Sequence, residues 1–287
     1  MAFAYKFESA ALLGSTMTFL DLGIGEAVLL GHSYLWDAEM WRPQIERLAR
    51  RYRVIVPNLW GHGDSGPLPA GTRDLGDLAR HHLALMDRLG IERFAVLGLS
   101  IGGMWGAELA LLAPERVTAL ALLDTYLGPE PALSRSQYFA LIDAIAAAKA
   151  IPEPMLDVIV PLFFAPGRET NTPALSEAFR LRLRGWDSAR LLDSVLPIGR
   201  MLFGRRDARD DLRTLSMPKL VLTGREDIPR PLHEGQQMAA ILDCPFVEIE
   251  GAGHISTLES PEIVTDRLSR FLWDALDRDA TARRSAV

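Results

Sequence analysis

A serine that could act as a nucleophile stands at the end of a short apolar run. Phe94-Ala95-Val96-Leu97 leads into Gly98-Leu99-Ser100-Ile101-Gly102-Gly103, and a helix-like run from Met104 to Leu112 follows at once. The pattern predicts strand, sharp turn, helix, with Ser100 at the apex, its backbone strained and its hydroxyl pushed outward. Gly98 and Gly102 leave room for the turn to pass close to its neighbours. The helix that begins after Ser100 points its free N–H groups and positive dipole end at whatever the serine attacks. A bare Gly-x-Ser-x-Gly also occurs in ordinary turns, so it is the flanking strand and helix that favour chemistry.

A serine hydroxyl needs a base to take its proton, and the base needs an orienting carboxylate. Six histidines compete: His32, His62, His81, His82, His233 and His254. His81 and His82 fall within a helical pattern, where packing or solvent roles are the default. His233 falls in a first helical turn, and His62, between two glycines, reads as a loop tie. His254 follows the last strand-like run in Gly251-Ala252-Gly253-His254, a position suited to a base. The acid is expected between serine and histidine in the chain. Asp227, in Gly224-Arg225-Glu226-Asp227, is the choice; its neighbour Glu226 would point elsewhere, and Asp124 is the rival.

The elements that must position these groups alternate. Residues 3–13 and 16–22 read as a hairpin-like pair, and Ala27–Leu30, Arg53–Pro57, 93–100 and Val117–Leu123 as further strands. Helices are expected over 38–51, 74–89 and 102–113. From 128 to 213 the alternation stops. That span reads as helical and is punctuated by prolines, with helices near 134–150, 154–164, 173–185 and 188–204. It resumes with strands near 218–224 and 246–250 and helices over 231–242 and 261–276, and a polar tail from 277 reads as frayed. Continuous apolar strands separated by helices predict a mostly parallel, doubly wound α/β sheet of about eight strands. The core is then 1–127 with 214–287, and 128–213 is an inserted all-helical cap, or lid. Ligands of such sheets bind beyond the carboxyl ends of the strands, where the loops 31–34, 98–102, 124–126, 224–228 and 251–254 all lie.

Composition sets outer limits. In 287 residues, 48% are apolar and 24% charged, ordinary values for a globular protein. A net charge of −6 without a basic stripe argues against a nucleic-acid partner. The single cysteine, Cys244, excludes an internal disulfide framework and reads as an inert buried thiol. No run reaches the roughly 18 apolar residues of a membrane span, and no targeting segment stands out, so a cytoplasmic protein with no membrane partner is expected. No metal-ligand spacing, haem motif or nucleotide fingerprint appears, and no cofactor or metal is inferred; the partner expected is a small-molecule substrate.

The chain resembles the α/β-hydrolase superfamily. The matching pieces are Gly98-Leu99-Ser100-Ile101-Gly102-Gly103, Gly61-His62-Gly63-Asp64-Ser65, Gly224-Arg225-Glu226-Asp227, and Gly253-His254 ahead of Glu259-Ser260-Pro261-Glu262. Together they cover almost everything outside the cap. The resemblance implies a Ser100-His254-Asp227 triad and an oxyanion hole from the backbone N–H groups of Tyr34 and Ile101. It departs from the usual pattern at Ser33, where the family commonly has glycine. Ser33-x-x-x-Asp37-x-x-Met40-Trp41 is similar to enol-lactone hydrolases and related small esterases, which implies a small, largely apolar ester or lactone cleaved through an acyl-enzyme. Carbon–carbon bond hydrolysis, other cofactor-free chemistry on the same scaffold, or a hydrolase-like ligand-binding protein are the alternatives. His32, Trp36, Tyr126, Phe163, Trp186, Ile228 and Ile255 are the candidate pocket residues, with Phe164, Met201 and Phe203 also offered by the cap.

Overall fold

The structure, a computed structural model, describes residues 5–167 and 173–277. The tail from 278 onward and residues 1–4, which the expected first strand partly includes, lie outside the described residues. Eight strands form one sheet: β1 (Glu8–Leu12), β2 (Ser15–Leu22), β3 (Ala27–Gly31), β4 (Arg53–Pro57), β5 (Phe94–Leu99), β6 (Val117–Leu123), β7 (Lys219–Gly224) and β8 (Phe246–Ile249). Their spatial order is β1-β2-β4-β3-β5-β6-β7-β8. Only the β1–β2 and β2–β4 pairs are antiparallel. From β4 across to β8 every pair is parallel. The sheet is thus α/β and mostly parallel, as the apolar runs predict. The β1–β2 turn puts Leu13 and Gly14 at positive φ, the backbone that a tight two-residue hairpin needs.

β3 and β5 are buried along their whole length, which is why they read as continuous apolar runs rather than alternating ones. Helices cover both faces: α1 (Arg42–Leu48), α2 (Leu75–Arg88) and α3 (Ile101–Leu112) come before the long interruption. The helix expected over 38–51 is shorter, because Ala38–Trp41 winds as a tighter 3-10 turn. That turn is capped by the Asp37 carboxylate, which accepts the Glu39 N–H at 3.0 Å. α2 begins where Asp74 accepts the Asp77 N–H at 2.8 Å. Trp41, Trp60 and Trp105 are fully buried and fill the space between helices and sheet.

Between β6 and β7 lie α4 (Ala132–Ala148), α5 (Glu153–Ile159), α6 (Pro173–Arg184) and a helical run, α7, over 188–203. No strand is assigned among the described residues of this span. Its ties to the sheet side are specific. The Tyr34 hydroxyl donates to the Val195 carbonyl at 2.8 Å, and Arg190 donates to the Gly63 carbonyl at 2.8 Å. The Leu68 N–H donates to Ser194 Oγ, and Arg182 pairs with Asp37 at 2.7 Å. After β7 come α8 (Leu232–Leu242), the short α9 (Ser256–Glu259) and α10 (Pro261–Leu272). Among the described residues, no helix is long and apolar enough to cross a membrane.

Candidate active site

Ser100 ends β5 and caps α3 with φ +57° and ψ −123°, a backbone that side chains rarely adopt. The strain is held by its surroundings. The Ser100 N–H donates to the Leu123 carbonyl at 2.9 Å, and its own carbonyl accepts the Thr125 hydroxyl at 2.7 Å. A Cβ on Gly98 would overlap the Gly102 carbonyl, and one on Gly102 would overlap the Gly31 carbonyl. The two glycines of the motif are therefore dictated by close backbone packing. Leu35 and Asp124, at the ends of the neighbouring β3 and β6 loops, also take positive φ, so strain gathers at this edge of the sheet.

Three side chains meet there. His254 Nε2 lies 2.9 Å from Ser100 Oγ, and His254 Nδ1 lies 2.9 Å and 3.1 Å from the two Asp227 oxygens. All three are buried. Asp227 Oδ1 also accepts the Arg230 N–H at 2.9 Å, which holds the carboxylate to its own turn. With Asp227 on Nδ1, the imidazole carries its proton there and leaves Nε2 free to accept from the serine. The His254 loop is fixed by a residue whose part the sequence pattern does not reveal. Glu259 accepts the Gly253 N–H and the Ala165 N–H, each at 2.8 Å, so one carboxylate ties the histidine loop to the helical span.

Asp124, the rival acid, points elsewhere. Its Oδ1 accepts the Gly224 N–H at 2.7 Å, and its Oδ2 accepts the Ser256 hydroxyl. Burial, and then the nearby Asp227 charge, push its carboxyl well above the usual range.

A cavity of about 90 Å³ opens over Ser100 and His254. Of the expected pocket residues only Phe163 lines it, its ring edge-on to His254 at 5.6 Å, together with Tyr34 from the expected oxyanion loop. The other six do not line it. His32 is a buried structural residue: its Nε2 accepts the Leu59 N–H at 2.8 Å, so its Nδ1 donates to the Ser33 carbonyl. Trp36 stacks flat on Phe179 at 4.5 Å and is spent on packing. Tyr126 turns its hydroxyl to Gln237 at 2.6 Å. Trp186 packs edge-on against His62 and lines a separate groove. Ile228 is exposed, because the turn that aims Asp227 inward sends the next side chain outward, and Ile255 is fully buried beneath α9. Of the further cap residues, Phe203 lines the cavity while Phe164 and Met201 do not. In their place the wall is largely aliphatic and comes from α4, α5 and α7, with Ile142, Ile159, Leu191 and Val195 among it. Helical residues at core-like spacing give no sign of which face meets a cavity, so the sequence has no signal for them.

Of the remaining histidines, His62, His81 and His82 are structural. His62 accepts the Leu35 N–H at Nε2 and donates from Nδ1 to the Trp60 carbonyl, and His82 stacks on Trp105 at 3.7 Å. His81 accepts the Trp60 indole N–H at 3.0 Å, while His233 is exposed on α8. Cys244 is half-buried, and burial pushes its thiol up to about 11.

Burial holds His32, His62 and His82 down at about 3, against 6.5 for a free imidazole. The unfolded chain takes up these protons below pH 6.5, while the folded protein resists until about pH 3. Stability is therefore full above 6.5 and is lost as pH falls toward 3, by about 1 kcal/mol per histidine at pH 5.5. Urea unfolding at pH 7.5 and 5.5 checks this: the midpoint falls at the lower pH, and an unchanged midpoint contradicts it.

The chain is similar to known proteins in sequence and in structure. The putative carbamate hydrolase RutD of Azorhizobium caulinodans is 29% identical over 252 residues, 87% of this chain and 92% of that protein. The 3-oxoadipate enol-lactonase 2 of Acinetobacter baylyi is 25% identical over 236 residues, 82% of this chain and 84% of that protein. A thermophilic esterase from Thermogutta terrifontis superposes with a TM-score of 0.83 at 28% identity, over 94% of this chain and 99% of that one. A family model described as the alpha/beta hydrolase fold matches residues 26–261, which takes in every strand from β3 to β8 and all three residues of the hydrogen-bonded relay. With that match over most of its length, and a mostly parallel eight-stranded sheet that carries a strained serine at the end of β5, this chain belongs to the α/β-hydrolase fold family.

Proposed function

We propose that the protein is a serine hydrolase that cleaves a small, largely apolar carboxylic ester or lactone. The observation that carries the reading is the Ser100–His254–Asp227 relay, with hydrogen bonds of 2.9 Å on both sides of the imidazole, opening into a mostly apolar cavity. His254 Nε2 takes the Ser100 proton as Oγ attacks the carbonyl, and Asp227 holds the imidazole in orientation and stabilises the imidazolium. The Ile101 N–H begins α3, and the Tyr34 N–H follows β3; neither has a recorded hydrogen-bond partner among the described residues. Both are thus available to the oxyanion, a role in which each donor is worth about 10²–10³ in rate. His254 then returns its proton to the leaving alcohol, or to the ring oxygen of a lactone. A water deprotonated by the same nitrogen hydrolyses the acyl-enzyme. The span 128–213 serves as a cap whose α4, α5 and α7 close the acyl pocket against water.

The esterase and lactonase among the similar proteins support ester chemistry, and the carbamate hydrolase supports acyl transfer of a related kind. The test is turnover of 4-nitrophenyl acetate and butanoate with a panel of four- to six-membered lactones. Saturable hydrolysis of at least one, blocked by an active-serine phosphonate, is the expected result. Tight binding of these compounds without turnover would point to a ligand-binding protein instead.

A further inference from the structure

The cavity over Ser100 carries a second polar group that the hydrolytic step does not use. Glu130, Arg205, Arg230 and Tyr138 line it, within a wall that is otherwise almost wholly apolar. Glu130, Arg205 and Arg230 are each more than nine-tenths buried. Taking such charges out of water is costly, and one ion pair would suffice to fasten the helical span to the sheet. Here two guanidinium groups share one carboxylate. Glu130 Oε1 accepts from Arg230 Nη2 at 2.7 Å, and Glu130 Oε2 accepts from Arg205 Nη1 at 2.8 Å. Among the described residues, Arg205 Nη2 and Arg230 Nη1 have no hydrogen-bond partner. The other nearby carboxyl, Glu234, is an ion-pair contact of Arg230 Nη1 at 3.4 Å, does not line the cavity, and is pushed toward its neutral form by burial. The charged side chains that line the cavity next to this pair are thus two guanidinium groups and one carboxylate.

We infer that Arg205 and Arg230 form a carboxylate subsite, so that the preferred substrate is a short ester or lactone bearing a free carboxylate apart from the scissile group. Arg205 is already held by the Tyr126 and Leu202 carbonyls and by Glu130, and Arg230 by Glu130, so each guanidinium keeps one terminal nitrogen for a further acceptor, and a dry apolar wall strengthens a charge-assisted bond from it to a carboxylate. The subsite is fixed relative to the relay, because the Arg230 N–H donates to Asp227. Tyr138, from α4, adds a hydroxyl at the same end of the cavity.

This inference rests on the serine hydrolase reading, and its test separates the two. Hydrolysis by the full-length protein is followed in a pH-stat for monomethyl glutarate and monomethyl adipate. Each is compared with its neutral counterpart, methyl pentanoate or methyl hexanoate. The acid-bearing ester of at least one pair is expected to show a kcat/KM about tenfold higher or more, the scale of one charge-assisted contact. In parallel, calorimetry compares binding of N-methyl adipamic acid with N-methylhexanamide, which reports on the subsite even if no ester is turned over. The acid is expected to bind about tenfold tighter. The variant Arg205→Gln leaves Glu130 paired with Arg230, and its preference for the acid-bearing ester should fall toward one. Equal or weaker use and binding of the acid-bearing compounds by the parent protein overturns the subsite, as does a folded Arg205→Gln variant that keeps the full preference. Binding preference without any turnover leaves the subsite standing and overturns the hydrolase reading.

Discussion

Ser100→Ala is expected to remove the proposed ester hydrolysis, with kcat/KM falling by about 10⁴–10⁶, while the protein stays folded. The substitution deletes one oxygen and keeps the Cβ, so the cost of the φ of +57° at this position is already present in the parent. The backbone bonds that hold the turn, from the Ser100 N–H to Leu123 and from Thr125 to the Ser100 carbonyl, do not involve the hydroxyl. What disappears is the group 2.9 Å from His254 Nε2. Unfolding midpoints of parent and variant should agree within about 0.5 kcal/mol, which separates lost chemistry from lost structure. Residual turnover within about tenfold of the parent would remove Ser100 from the nucleophile's role.

Asp227→Asn is expected to lower kcat by about 10³–10⁴, and Asp124→Asn by about tenfold or less. The amide at 227 can still accept the Arg230 N–H, so the turn survives. It can no longer stabilise an imidazolium, and its NH₂ favours the wrong histidine tautomer. At 124 the change is milder. The carboxyl is driven toward its neutral form by burial and by the Asp227 charge, and its Oδ1 needs only to accept the Gly224 N–H. Asparagine supplies that acceptor. Single-turnover rates for the two variants decide the matter, and the reverse order would make Asp124 the functional acid.

The sequence by itself determined the sheet and the place of its reactive edge. Runs such as Ala27–Gly31 and Phe94–Leu99 are apolar throughout because both faces of a parallel sheet are covered, and that is a local signal. The turn at Ser100 is equally local, since Gly98 and Gly102 are demanded by backbone contacts within one strand–turn–helix unit and with the adjacent Gly31. His254 was legible as a loop residue after the last strand. Asp227 is the sequence's choice of carboxylate for it, but the rival Asp124 follows the adjacent strand, and the hydrogen bonds that part the two come from Gly224, Ser256 and Arg230 in the tertiary structure.

The pocket was decided by tertiary structure alone. Trp36 and Trp186 look like cavity aromatics until Phe179 and His62 pack against them, and no periodicity within one helix specifies a partner on another. No motif or spacing in the sequence sets Glu130, Arg205 and Arg230 apart from the chain's other charges. They are buried only because β6, α7 and the turn after β7 bring their neighbouring segments to one point, where each charge can be taken out of water in the company of the others.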